Sequence, residues 1–408
     1  MKNRFIIKAN DVYIIVLFIY LVVAFFAKTT TAFSYLGYIA VGTGLLTLIL
    51  SGFKKSRTIT IILLATFITI IYFSVSSVAF DVSVNSPTTH GRLIGSSLIM
   101  LNLVLFSLSF STKEEDAHVH FIFLFEIICI ITTFARYSLY EIYEGVLGHI
   151  RLGERLNGGN LFGMLMALFS IFQCYRLALF RKTRVIDFLI LFIDVVLVAS
   201  SGSRKAFIGM FAGVALLFLF LSKKNKIITI CRIALVASLL FFVLSSLSIT
   251  SGVFERLSTL WSDSNQLVSR SDEVRFEMIL FALQSALKRP VFGYGFDSYT
   301  TYSVFHTYSH NNYAELLFNN GILGLILYYF PKLFILINLV KTKTIRVRQM
   351  TAFYVSIMVI LLIYDFACVS YYDTLMNMFW WLAGAYLFYV LSGKKREETV
   401  NYERSFVF

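Results

Sequence analysis

Residues 12–27 read VYIIVLFIYLVVAFFA, an apolar run with no charge in it. Further runs of the same kind occupy 32–52, 58–80, 93–111, 118–135, 161–180, 185–200, 204–221, 227–248, 312–338, 350–370 and 373–391. A bilayer core about 30 Å thick takes roughly 20 apolar residues of helix. Inside it every backbone N–H and C=O needs a partner from the chain itself, which leaves helices or a closed barrel, and these runs are too long for barrel strands. The pattern predicts an all-α integral membrane protein with about twelve transmembrane helices. Composition agrees, since 58% of the 408 residues are hydrophobic and only 14% charged, against about a quarter charged in soluble domains.

The formal net charge of +13 would suit a nucleic-acid partner if it formed one basic face. Instead it falls in short clusters between apolar runs, which is the signature of membrane topology, and no nucleic acid is expected. With the N-terminus inside, roughly 23 Lys and Arg lie on the cytoplasmic side against about 12 outside. Both termini are then cytoplasmic. The first run follows Lys2, Arg4 and Lys8 but has no small-x-small cleavage site before Lys28, so it reads as an uncleaved helix. Cys129, Cys174, Cys231 and Cys368 all lie inside apolar runs without a CxxC, which supports neither a zinc site nor a disulfide framework.

Two outer segments are long, 136–160 and 249–311. Neither is large enough for an independent core, so the chain reads as a single polytopic domain, with the larger loop roofing a cavity between helices. Within that loop Ser271 looks like a helix cap followed by acids. Phe276, Ile279, Leu280, Leu283 and Leu287 then recur at helical spacing, giving an amphipathic helix for the outer interface. Pro290 ends it and Gly293-Tyr-Gly295 makes a turn.

Positive residues are depleted on the outer side of membrane proteins, yet Arg151, Arg155, Arg204, Arg256, Arg270 and Arg275 fall there. Arg204 closes a very tight turn, Ser200-Ser-Gly-Ser-Arg204, at the outer end of its helix. A guanidinium matches phosphate oxygens bidentately and never deprotonates; the alternative is a side chain that snorkels to headgroup level. His310 stands where the large loop re-enters the bilayer, and either caps that helix or serves as a general base. Asn311, Glu315 and Asn319 follow at four-residue spacing on one helical face. His306 and His310 are also four apart, but no third ligand sits at a diagnostic spacing and HExxH is absent, so no metal is predicted. Glu126, Asp187, Asp194, Lys332 and Asp365 are ionisable residues inside apolar runs. Each costs about 2.5–3.5 kcal/mol at mid-helix, so each is functional or structurally paired.

Four stretches together resemble the O-antigen ligase/polymerase family of bacterial membrane glycosyltransferases. SGSRKAF at 201–207 is similar to that family's Gly-Ser-Arg turn, and RSDEVRFEMILFALQSALKRPVFGYGFDSY at 270–299 to its arginine-bearing helix and Pro-x-x-Gly-x-Gly turn. HNNYAELLFNNGILG at 310–324 resembles its His-Asn-x-x-x-Glu signature. RLNGGNLFG at 155–163 is a shortened likeness of a further stretch and lacks the usual Asn-Pro-Asn. The resemblance implies a multi-pass enzyme of the bacterial plasma membrane that transfers glycan from an undecaprenyl-pyrophosphate carrier without metal, nucleotide or other cofactor. It implies Arg204 and Arg275, with Arg155 as a third, on the pyrophosphate, and His310 as the base, positioned by Asn311 and Glu315. A repeat-unit polymerase for capsule or O-antigen is the first expectation, with a flippase and a chain-length regulator as partners. A ligase to a lipid acceptor is the second, and a lipid or polysaccharide transporter the third.

Overall fold

A computed structural model describes residues 9–27, 31–51, 57–79, 87–111, 113–156, 158–179, 184–221, 266–341 and 347–391. Among the described residues the regular elements are helices: α1 (Ala9–Phe26), α2 (Thr31–Ser51), α3 (Arg57–Ala79), α4 (Pro87–Phe110), α5 (Glu115–Arg136), α6 (Leu139–Leu147), α7 (Gly159–Leu179), α8 (Arg184–Ser200), α9 (Arg204–Leu221), α10 (Gln266–Ala286), α11 (Tyr299–Tyr302), α12 (Asn312–Lys341), α13 (Val347–Tyr364) and α14 (Thr374–Leu391). Nine of these are long and apolar enough to cross a membrane. The expected span at 227–248 lies outside the described residues, as do Arg256 and Cys231.

Burial sorts the helices into a core and a coat. Every residue of α14 from Thr374 to Tyr389 is buried, and α7 is buried continuously from Phe162 to Gln173. α14 packs on α4, while α7 lies between α8 and α9. The helices around them keep one apolar face uncovered: Ile15 and Ile19 on α1, Leu45 and Ile49 on α2, Leu64, Phe67 and Ile71 on α3. In lipid such faces need no protein cover, and contact between helices rests on close fit and interhelical hydrogen bonds. Tyr13 donates to Asn102 at 2.8 Å, and Trp381 Nε1 donates to the Ile99 carbonyl at 3.1 Å.

Three boundaries differ from expectation. α10 begins at Gln266, so Ser271 lies inside the helix and not at its cap; Leu-Val-Ser-Arg at 267–270 contains no Gly or Pro to stop a helix earlier. α13 ends at Tyr364, six residues short of the apolar run, and 365–373 becomes an irregular segment. The outer segment 136–160 contains a helix of its own, α6, started by a capping box between Ser138 and Glu141 and ended at Gly148 with φ 85.

The largest departure is inside α12. At Gly321 the backbone adopts φ 62, ψ −169, a region open in practice to glycine alone. A break in a membrane helix frees backbone groups that lipid cannot satisfy. Residues 290–295 take them up. Tyr294 and Gly295 donate to the carbonyls of Phe318 (2.9 Å) and Asn319 (2.7 Å), while Ile322 and Leu323 donate to the carbonyls of Pro290 (2.8 Å) and Val291 (3.3 Å). The two backbones are too close for side chains: a Cβ at Gly293 would lie 2.6 Å from the Asn319 carbonyl oxygen, and one at Gly321 would collide with the Val291 carbonyl. The turn at 293–295 is thus spliced into the helix it precedes.

Gly321→Ala should therefore cost about 2 kcal/mol or more, combining a forbidden φ/ψ with a backbone clash. Gly95→Ala, whose Cβ would meet nothing within 4 Å in the middle of α4, should be neutral or mildly stabilising. Thermal unfolding of the two variants in one detergent checks the contrast.

Candidate active site

The re-entry segment 308–312 is fixed by its neighbours in sequence and by the 365–373 segment. Glu315, wholly buried, accepts from the Ser309 amide at 2.7 Å and the Ser309 hydroxyl at 2.9 Å. Asn311 caps α12 by accepting from the Ala314 amide at 2.9 Å, and its side-chain N–H donates to the Phe366 carbonyl at 3.2 Å. Asn312 accepts from the amides of Ser370 (2.9 Å) and Tyr371 (3.1 Å) and donates to Tyr329 Oη at 2.7 Å. Tyr329 in turn donates to Asp365 at 2.6 Å. Three of the four polar residues in the His-Asn-Asn-x-x-Glu stretch are thus spent on holding the turn.

His310 is the exception. It is half-buried, its ring lies 4.3 Å from the Tyr308 ring centre, and its imidazole makes no hydrogen bond among the described residues. Its backbone is left-handed at φ 60, as are those of Asp297 (φ 60) and His306 (φ 49). Asp and His tolerate this region better than most residues, and a cost of about 1 kcal/mol or more at each persists only where the surroundings enforce it.

Cations surround it. The His310 pKa is pushed down to about 4, first by burial and then by the positive charges of Arg275 and Lys205. Arg275 and Arg92 also act on Tyr308, whose hydroxyl burial raises. The Lys205 ammonium donates to the Ala367 carbonyl, next to the Phe366 carbonyl that Asn311 holds. The first turn of α9, which begins at Arg204, therefore meets the same segment as the histidine turn. Below them Arg92 pairs with buried Asp297 at 2.7 Å, Thr89 donates to the other Asp297 oxygen at 3.0 Å, and the guanidinium lies 4.9 Å over the Tyr372 ring.

The sequence-derived candidates separate in this geometry. Arg275 acts on His310 through its charge, and Arg204 stands one residue before Lys205, whose ammonium reaches the Ala367 carbonyl. Asn311 and Glu315 hold the turn in place. Arg155 is exposed and engaged elsewhere: it pairs with Glu141 at 2.9 Å, donates to the Arg136 carbonyl at 3.2 Å and lies over the Tyr137 ring. Side-chain placement at Arg270 lies outside the described residues. Among the described residues no group of three or more His, Cys, Asp or Glu forms a metal-ligand set. Lys205, Arg92, Asp297 and Tyr308 were not singled out from sequence. Arg92 carried a usable signal, a cation at the outer end of an apolar run. Asp297 had none, because its partner is 205 residues away.

Because burial and two cations disfavour the imidazolium, the folded protein binds this proton less readily than the unfolded chain does. The resulting stabilisation is complete above about pH 6.5 and is lost as pH falls towards 4. In His310→Asn, which keeps a residue suited to φ 60, the drop in melting temperature between pH 6.5 and 4 should flatten. In Arg275→Gln the transition should move up towards 6.5, read by melts across the same pH series.

A search of curated proteins finds no match to this chain. Residues 189–329 match the family model described as O-antigen ligase. The matched span contains Arg204, Arg275, His310, Asn311 and Glu315 and leaves out Arg155. Over those residues this multi-pass membrane chain is similar to the O-antigen ligase family, which supports the resemblance carried by the Gly-Ser-Arg and His-Asn-x-x-x-Glu stretches.

Proposed function

We propose that the protein polymerises undecaprenyl-pyrophosphate-linked repeat units into capsular or O-antigen polysaccharide at the outer face of the bacterial plasma membrane. The observation that carries this reading is the family match over 189–329, which contains Arg204, Arg275 and His310, together with the positive field of Arg275 and Lys205 at the half-buried His310. In the reaction the anomeric C–O bond to pyrophosphate breaks and a bond to an acceptor sugar hydroxyl forms. The hydroxyl proton passes to His310, and undecaprenyl pyrophosphate leaves with the bonding electron pair. Arg204 and Arg275 stabilise charge that grows on the leaving group, an effect worth several kcal/mol when donors are fixed in advance. Fixed guanidinium groups supply the role a divalent cation would otherwise play.

The same cations set the base. In the free protein burial, reinforced by their charge, holds His310 neutral but weakly basic; a bound pyrophosphate offsets that charge and raises the basicity of the imidazole where the acceptor hydroxyl waits. The carrier thus switches on the base that consumes it. A ligase reading, in which the acceptor is a lipid-linked core, is favoured by the description of the matching family model. The two readings part on the intermediate that accumulates when the gene is deleted: single repeat units on carrier or core for a polymerase, long unattached chains for a ligase.

Arg204→Ala and His310→Ala should abolish glycan transfer at normal membrane levels of protein, and Arg275→Lys should fail as well because a point charge cannot reproduce a bidentate fork. Full-length glycan from any of the three would refute the role given to it. The pH dependence of kcat/KM should fall only near pH 4, whereas that of kcat should fall at a higher pH, because the first reports free enzyme and the second the substrate complex.

A further inference from the structure

A second polar constellation is buried among α5, α7 and α8, away from the histidine turn. Glu126, Gln173 and Asp194 are each fully buried near the middle of their helices. Gln173 Nε2 donates to Glu126 Oε2 at 2.5 Å, and the Glu126 and Asp194 carboxyls lie within hydrogen-bond reach of each other. Ionised carboxylates only accept, so this contact requires something positive to join them. Four buried oxygens have no donor: Glu126 Oε1, both carboxylate oxygens of Asp194, and Gln173 Oε1.

The surroundings do not supply the missing charge. Arg176, whose field reaches Glu126, is paired with Asp187 at 2.9 Å and rests 3.8 Å from the Phe123 ring centre. The other titratable groups facing the pair are the thiols of Cys129 on α5 and Cys174 on α7. Two bare carboxylates at this depth would be far costlier than a paired one. Carboxylate and amide oxygens are ligands of hard cations. One cation shared between the two carboxyls is the least that joins them, and the Arg176 N–H groups make no bond to either.

We propose that Glu126, Asp194 and Gln173 form an intramembrane site for one hard monovalent cation, taken up as a proton or as a sodium ion in exchange for it. When sodium binds, one carboxyl proton leaves to solvent. The site shares no residue with the glycan-transfer reading and stands whether or not that reading does.

The test uses the full chain purified in detergent, with no glycan substrate. Melting temperature is measured against sodium chloride at pH 6, 7 and 8, with N-methylglucamine chloride at equal ionic strength as control, alongside the near-isosteric Glu126→Gln/Asp194→Asn variant. Sodium-dependent stabilisation whose half-effect concentration falls by up to about tenfold per pH unit, and which the variant lacks, identifies sodium in exchange with a proton. A pH dependence seen in N-methylglucamine alone, unaffected by sodium and lost in the variant, identifies the proton as the occupant and overturns the exchange. Dependence that survives in the variant, or none in the wild type, overturns the site. Should the variant fail to fold, a pH-indicator dye reports on the wild type directly: sodium added at pH 8 should release up to one proton per protein, and no release overturns the exchange.

Discussion

At Gly321 a helix buried in an apolar bundle gives up its own hydrogen bonds, and the turn at 290–295 takes their place. In water such a break would be filled by solvent. In hydrocarbon each unsatisfied group costs several kcal/mol, so the break and the turn can exist only together. This exchange of four backbone hydrogen bonds fixes where the large outer loop meets the bundle. It sets the position of Asp297, two residues beyond the turn, and of α10, which precedes it and carries Arg275. Everything proposed for the histidine depends on this splice.

The polar residues around the 308–312 turn are spent mostly on building it. Asn311, Asn312, Glu315, Asp365 and Ser370 saturate one another and the local backbone, and they are buried. Saturation of this kind rigidifies a site, because no member can turn without leaving a buried group unpaired. His310 is half-buried beside this frame, in the field of Arg275 and Lys205. The same physics explains why Arg155 falls outside the frame: its guanidinium already has a carboxylate, a carbonyl and an aromatic face.

Inside the bundle the ionisable residues follow a different logic. Lys332 donates to Tyr328 at 2.6 Å and to Asn377 at 2.8 Å, and Asp187 pairs with Arg176 at 2.9 Å. These groups are matched by protein. Glu126 and Asp194 face each other and are not matched, which separates them from the rest on chemical grounds.

The periodicity of apolar runs determined the class of the protein, the existence of the described helices other than α6 and α11, and most of their boundaries. That follows because hydrocarbon length and backbone satisfaction are local constraints, readable over twenty residues at a time. His310 and Arg204 could be picked out as candidates for a related reason: charged or titratable groups at the ends of apolar runs stand out against their surroundings. The break at Gly321, the pairing of Arg92 with Asp297, the early end of α13 and the meeting of Glu126 with Asp194 were decided only by tertiary structure. Each joins residues far apart in the chain, and the free energy that selects it comes from the partner, not from the segment that bends or pairs.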